Sequence, residues 1–405
     1  MKFNRSTLSI SWTVVFTSLL ATGAVGCKKK EGDKTGTGAG TGAGTGAGTT
    51  VGSGPGPTAA GGGGGGGAGK IALLLPESQT ARYEAADRPF FEAKFKALCP
   101  GVEIVYSNAN QQAADQQQQA EAAIAKGVKV MVLDPVDGDS AGVIVKNAKT
   151  KNISVVSYDR LIKGGATPDY YISFDNHRVG QLQAEALLKK LTATVKGKPK
   201  ITMINGSPTD NNATLFKQGA HSVFDGKVDI VKEDAAANWK PEEAQQLMEQ
   251  FIAAVKPKGF DGAYQANDGT AGGAIAAMKT AGIDPKTKPT AGQDAELAAI
   301  QRILTGEQYM TVYKAIQPEA EKAAELACAL YKGEQPAAGM VTGKVNNGTA
   351  DIPSVLLAPI AVTKDGGDGT SSVADTIVKD KFYGPETVAQ ICKDYADACK
   401  AAKLQ

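Results

Sequence analysis

The chain has 405 residues, 44 Lys and Arg against 42 Asp and Glu, a formal charge of +2 and two His. That length exceeds the roughly 250 to 300 residues at which single cores stop growing, so two half-cores are expected. Near-neutral charge supplies no field for nucleic acid or another polyanion and points to a small or neutral partner.

At the N-terminus Lys2 and Arg5 precede a mostly apolar run from Leu8 to Ala21, and Ala24-Val25-Gly26 stand directly before Cys27. This is the order of a secretory signal. Small residues before a cysteine resemble the bacterial lipobox, which implies a signal over residues 1–27 and lipid attachment at Cys27. An uncleaved membrane anchor is the other reading, and the polar interruptions and short length count against it. Either reading exports the rest of the chain. Residues 28–69 are three lysines and then Gly alternating with Thr or Ala, a tether with an r.m.s. reach of roughly 35 Å. Gly64 to Lys70 superficially reads as a phosphate loop, but Ile71 replaces the required hydroxyl residue, and the run precedes a strand instead of following one.

From Lys70 onward short β-branched runs alternate with segments of helical period, the pattern of an α/β fold with parallel sheets and crossover helices. The predicted strands are Ile71–Leu75, Glu103–Ser107, Val130–Leu133, Ser154–Tyr158, Tyr171–Phe174, Ile201–Asn205, Asp229–Lys232, Gly262–Ala266, Thr290–Gly292 and Met310–Tyr313. The clearest helices are Gln116–Ala125, Val179–Leu191, Pro241–Val255, Ala271–Ala281 and Glu319–Tyr331. So many strands suit two lobes better than one very wide sheet.

Ligands of open α/β sheets bind beyond the carboxyl ends of the strands. Those exits are polar throughout: Glu77, Asn108 and Asn110, Asp134, Asp159-Arg160, Asp175-Asn176, Asp210 with Asn211 and Asn212, Glu233-Asp234, Asn267-Asp268, Gln293-Asp294 and Lys314. Helix capping and turns account for single members of the set. The mixture of carboxylates, amides and cations in both halves suits sugar hydroxyls, which donate and accept at once. Trp239 is a candidate platform for a sugar ring, and its flanks read as a loop entering a helix, which favours exposure in a cleft. Core filler is its other reading. Catalysis fits poorly: His177 and His221 lie in helix-like contexts, no nucleophile elbow or metal motif is present, and no cofactor or metal is expected. In an oxidising compartment Cys99, Cys328, Cys392 and Cys399 can pair. Cys392 with Cys399 is favoured because they lie close in a polar tail, Cys99 with Cys328 is second, and free thiols remain an alternative.

Tyr158-Asp159-Arg160, Tyr171 to Asn176, Gly206 to Ala213, Asn267 to Ala274, Gly292 to Ala295 and Met310 to Lys314 form an ordered series. As a set it resembles the D-xylose-binding proteins of ABC sugar transporters, within the type I periplasmic binding family, from about Lys70 to Phe382. The resemblance implies two similar lobes, each a parallel sheet flanked by helices, joined by a three-crossing hinge. It implies a first lobe of residues 70–175 plus 314–340, a second of 176–313 plus 341–384, and a tail of 385–405, with crossings near Asp175, Tyr313 and Val341. It places sugar contacts at Arg82, Tyr83, Asp159, Arg160, Asp210, Asn212, Trp239, Asn267, Asp294 and Lys314. Tyr83 stands where relatives commonly carry Trp, and their acidic pair after the first strand appears as Pro76-Glu77. The implied partners are a xylose-like monosaccharide, an ABC permease and, through Cys27, a bacterial membrane; the protein is expected to be extracytoplasmic and monomeric. Binding of another pyranose such as glucose, and service to a chemoreceptor or sensor kinase, are the alternatives.

Overall fold

The run Ile71-Ala72-Leu73-Leu74-Leu75 has no polar face, and β1 (Lys70–Leu75) is buried from Ile71 onward. Ile71, Leu73 and Leu75 enter one apolar cluster and Ala72 and Leu74 another, as alternation requires of a strand covered on both sides. The computed structural model describes residues 69–404; the signal, Cys27 and the tether up to residue 68 lie outside them.

The first lobe continues through α1 (Arg88–Leu98), β2 (Glu103–Asn108), α2 (Ala113–Ala125), β3 (Val130–Leu133), α3 (Gly142–Lys149), β4 (Ser154–Tyr158) and β5 (Tyr170–Phe174). These strands pair in parallel in the order β5-β4-β3-β1-β2, so their carboxyl ends share one edge. At Asp175 the chain crosses into the second lobe.

There α4 (Asn176–Thr194), β6 (Lys200–Asn205), α5 (Asn211–Phe224), β7 (Asp229–Ala235), α6 (Pro241–Val255), β8 (Gly262–Gln265), α7 (Asp268–Thr280), α8 (Leu297–Thr305) and β9 (Met310–Tyr313) come in turn. A Cβ at Gly180 would lie 2.0 Å from the carbonyl oxygen of Phe216, so only glycine lets α4 approach α5 this closely. That contact fixes α5, whose first turn points into the interlobe cleft. The strand predicted at Thr290–Gly292 is reduced to one bridge, Ala263 to Thr290, plus backbone bonds linking β8 to β9. Pro289 lacks an N–H and the chain turns at Asp294, which leaves too few residues for a ladder.

After β9, α9 (Ile316–Lys332) returns to the first lobe and packs Ala320, Ala324 and Ala327 into the cluster containing Phe91 and Phe95. Cys99 and Cys328 form a disulfide here, with Cα atoms 6.0 Å apart. The sequence reading assigns 341–384 to the second lobe, and the structure differs. β10 (Gly343–Asn346) and β11 (Asp351–Leu357) extend the first sheet, β11 running parallel to β5 with Val355 beside Ile172. Without them β5 would present an open edge, and Ile352 and Val355 enter apolar clusters on its two faces. The third crossing therefore falls between Leu357 and Ile360, not near Val341.

The second lobe is completed by β12 (Ile360–Thr363), antiparallel to β9, then β13 (Asp365–Gly367), β14 (Thr370–Ser372), α10 (Thr387–Cys392) and α11 (Ala396–Ala401). Residues expected as a separate tail are thus helices packed on α8, with Ile391, Cys392 and Cys399 against Ile300, Ile303 and Leu304. Cys392 and Cys399 are disulfide-bonded, their Cα atoms 5.8 Å apart. No helix among the described residues is long and apolar enough to cross a membrane.

Candidate ligand-binding cleft

The strand exits of the two lobes face each other across a small cavity. The structure brings all ten residues singled out from the sequence to its wall. Arg82, Tyr83, Asp159 and Arg160 come from the first lobe; Asp210, Asn212, Trp239, Asn267 and Asp294 come from the second; Lys314 follows β9 at the crossing. Each is at most 6% exposed. Thr80 and Phe216 were missed, and Gln293, read from the sequence only as a strand exit, lines the cavity too. Phe216 is four residues after Asn212 on α5, a spacing that puts both on one helix face. Gln293 adjoins Asp294. Thr80 carries no local signal.

Arg82 anchors the first-lobe wall. Its guanidinium donates to both Asp87 oxygens at 2.9 and 2.7 Å, to Glu319 at 2.6 Å and to Asp159 at 3.2 Å. Burial opposes its charge, but Asp159, Asp87 and Glu319 outweigh that and hold its pKa well above the ordinary value. The Tyr83 hydroxyl donates to the other Asp159 oxygen at 3.0 Å. Burial pushes Asp159 up, yet Arg82, Lys314 and Arg160 win and keep it below the usual carboxylate range. Glu77, which stands where the acidic pair of relatives is expected, instead accepts from the Thr80 N–H at 3.0 Å and pins its own loop.

Arg160 bridges the lobes. Its Nε lies 3.1 Å from Asp210 Oδ2, 3.7 Å from Asp134 Oδ1, and its Nη2 3.5 Å from Glu77. Burial raises Asp210, with Arg160 opposing and Asp159 adding, and raises fully buried Asp134 further. Three more bonds join the lobes here, from Asn212 Nδ2 to the Asp159 carbonyl at 3.1 Å, from Thr209 Oγ1 to the Val136 carbonyl at 3.2 Å and from the Gly138 N–H to the Thr209 carbonyl at 3.1 Å.

On the second lobe, capping and lining coincide. Asp210 caps α5 through the Asn212 N–H, and Asn267 forms a capping box with Thr270 at the start of α7. The cap occupies the Asn267 side-chain oxygen, which accepts from both the N–H and the hydroxyl of Thr270. Asp294 pairs with Lys314 at 2.8 Å. Trp239, expected as an exposed platform, is 4% exposed and belongs to the second-lobe core, edge-on to Phe216 at 6.5 Å between centroids. The far edge of its ring abuts Gly206, where a Cβ would sit 1.9 Å from it, and the residue both packs in the core and lines the cavity.

The groups its wall leaves unspent decide what the cavity can recognise. Arg160 Nε and Trp239 Nε1 are buried donors, and Gln293 Oε1 and Asp294 Oδ1 buried acceptors, without a hydrogen-bond partner among the described residues. Arg160 Nε and Asp294 Oδ1 do sit within ion-pair distance of a partner, but off the hydrogen-bond direction. Buried polar groups left unmade cost about 1 to 3 kcal/mol each. A ligand carrying both donors and acceptors relieves that cost.

Just behind the wall, burial pushes Asp268 up to about 7 and Glu296 up to about 8. Glu296 is half-buried as a residue, but its Oε1 is shut off from solvent. His221 is also raised: burial lowers it, while its bonds to Asp225 and Glu233 win. For all three the folded state holds a proton that the unfolded chain gives up sooner, so stability is greatest below the unfolded pKa and falls as pH rises through the folded one. Carboxylates held low, such as Asp159, titrate below this range. Urea unfolding midpoints should therefore fall from pH 5 to pH 8; a rise over that interval would contradict these assignments.

Residues 71–335 match the model of the periplasmic binding protein domain. The chain is 38% identical over 324 residues to the D-xylose-binding periplasmic protein of Haemophilus influenzae, covering 79% of this chain and 92% of that one. With the D-xylose-binding periplasmic protein of Escherichia coli it shares 39% identity over 319 residues, covering 78% and 91%. Among solved structures, an ABC transporter solute-binding protein from Clostridium phytofermentans with bound β-D-glucose matches with a TM-score of 0.68 at 27% identity, over 78% of this chain and 99% of that one. With the domain model spanning more than half the chain and these relatives matched over nearly their whole length, the chain belongs to the periplasmic binding protein family.

Proposed function

We propose that this protein binds a monosaccharide, D-xylose in first place, between its lobes and delivers it to an ABC importer. The observation that carries the reading is the convergence of unspent donors and acceptors from both lobes on one small cavity, between Tyr83 on one side and Trp239 and Phe216 on the other. Such a wall suits a ring with hydroxyls around its rim and C–H faces above and below. The cations and carboxylates are already paired with each other, which disfavours a charged ligand. The choice of xylose rests on the two relatives whose names specify it. Periplasmic binding proteins bind and release their solutes; they are not enzymes.

Binding works by population shift. Contacts from Arg160 and Asp210 exist together only when the lobes are closed, so a sugar touching both sides favours closure by its differential affinity, and the permease reads the closed shape. Micromolar affinity needs about −8.2 kcal/mol, within reach of roughly ten heavy atoms at a ceiling near −1.5 kcal/mol each. The proposal extends to lipid anchoring at Cys27, supported by the preceding small residues and the Gly-rich stretch after it.

A thermal-shift screen against common pentoses and hexoses tests the reading. Ligand at a hundred times Kd should add about 2.7 kcal/mol of stability, and xylose should give the largest shift. A melt that no sugar moves would remove the proposal; a larger shift with glucose would reassign the sugar.

A further inference from the structure

The Asp294–Lys314 pair is held from behind by a segment far along the chain. Asp294 and Ala295 have φ of +97° and +53°, values that residues with a side chain rarely adopt. Such a backbone persists only where its surroundings fix it. Three fixings come from nearby strands and helices: the Asp294 N–H donates to the Val312 carbonyl at 2.9 Å, that of Ala295 to Thr311 Oγ1 at 3.2 Å, and that of Glu296 to Asp268 Oδ2 at 3.0 Å. The fourth is the Tyr383 hydroxyl, which donates to the Ala295 carbonyl.

Phe382, the residue before Tyr383, packs edge-on against Tyr313 with centroids 5.0 Å apart. Tyr313 in turn precedes Lys314, and its hydroxyl donates to Asp380 at 3.0 Å. Two consecutive residues thus grip the chain neighbours of both members of the pair, while neither lines the cavity. The grip has its own anchorage. Phe382 and Tyr383 pack in the cluster that holds Ile391, Cys392 and Cys399. The Tyr383 N–H donates to Thr387 Oγ1 at 3.0 Å, and Gln301 of α8 donates to the Ile391 carbonyl at 3.3 Å. The Cys392–Cys399 bond ties α10 to α11 beneath them. Apart from Gln301, this anchorage lies beyond residue 335, where the family domain match ends.

We propose that Tyr383 and Phe382 are positioning residues for the cleft, setting the orientation in which Asp294 and Lys314 meet the sugar. The inference rests on the sugar-binding reading of that cleft. Asp294 and Lys314 face each other across the turn between 292 and 296 and the end of β9. Neither segment has regular structure at that point, so an external brace decides how the carboxylate and ammonium stand.

A double-mutant cycle on the full protein tests this by calorimetry with D-xylose. Tyr383→Phe keeps the ring and loses one hydrogen bond, and should weaken binding about 3- to 10-fold. In the Asp294→Ala background the same change should cost less than about 2-fold, because the hydroxyl acts through Asp294. Equal losses in both backgrounds, or unchanged affinity in the first, would overturn the proposal and leave Tyr383 a general stabiliser. Phe382→Leu repeats the test from the Lys314 side, with weaker binding expected and unchanged affinity counting against it. A wild type that binds no monosaccharide removes the reading of the cleft itself; a wild type that binds, with both variants unaffected, removes this inference alone.

Discussion

Arg82→Ala should destabilise the folded protein by about 3 to 5 kcal/mol, the cost of leaving buried charge uncompensated. The guanidinium is the shared partner of Asp87, Asp159 and Glu319, and its side chain is only 4% exposed. Without it three carboxyl groups crowd a dry site. Glu319, already pushed up by burial and held back chiefly by Arg82, would be protonated outright. Arg82→Lys should recover little, because an ammonium cannot reproduce a fork that bonds both Asp87 oxygens while reaching Glu319 and Asp159. Urea denaturation of both variants is the measurement. A loss under about 1 kcal/mol for Arg82→Ala would show that the carboxyl groups neutralise each other without it.

Trp239→Ala carries the second large effect, and it falls on stability as well as binding. The indole is part of the second-lobe core, so its removal should cost about 3 to 5 kcal/mol. It also strips one wall and one buried donor from the cavity. Trp239→Phe separates the two roles: most of the apolar contact stays and the Nε1 donor goes. Stability should then be largely kept while sugar affinity falls by about 0.5 to 1.5 kcal/mol, one hydrogen bond. A variant that lost stability but bound normally would make Trp239 core alone.

The contrast between these residues shows what the sequence made legible. Strands such as β1 and β3 announce themselves because apolar β-branched runs with polar exits have few other uses, and those exits drew attention to Asp159-Arg160, Asp210 and Asp294. The supports behind them were invisible. Glu319 lies 237 residues from Arg82 in sequence, and nothing local marks it as more than a helix-face glutamate. β10 escaped notice because Gly343-Lys344-Val345-Asn346 has little apolar content, and β11 because Pro353 interrupts a run, Asp351 to Leu357, that takes its place only from the open edge of β5. The boundary at Val341 failed for that reason. The polar flanks of Trp239 describe the loop and not the direction of the ring; the glycine at its edge, Gly206, was the missed signal.

Arg160 is where fold and proposed function meet, since it sits on the first lobe, pairs through Nε with Asp210 of the second and lines the cavity. Calorimetric titration of D-xylose into the wild type and Arg160→Ala therefore tests the central claim most directly. The expected result is one site per chain with roughly micromolar affinity, weakened at least about tenfold in the variant by loss of a charged hydrogen bond worth about 1.5 to 3 kcal/mol. No heat of binding with the wild type, or equal affinity in the two proteins, would contradict it.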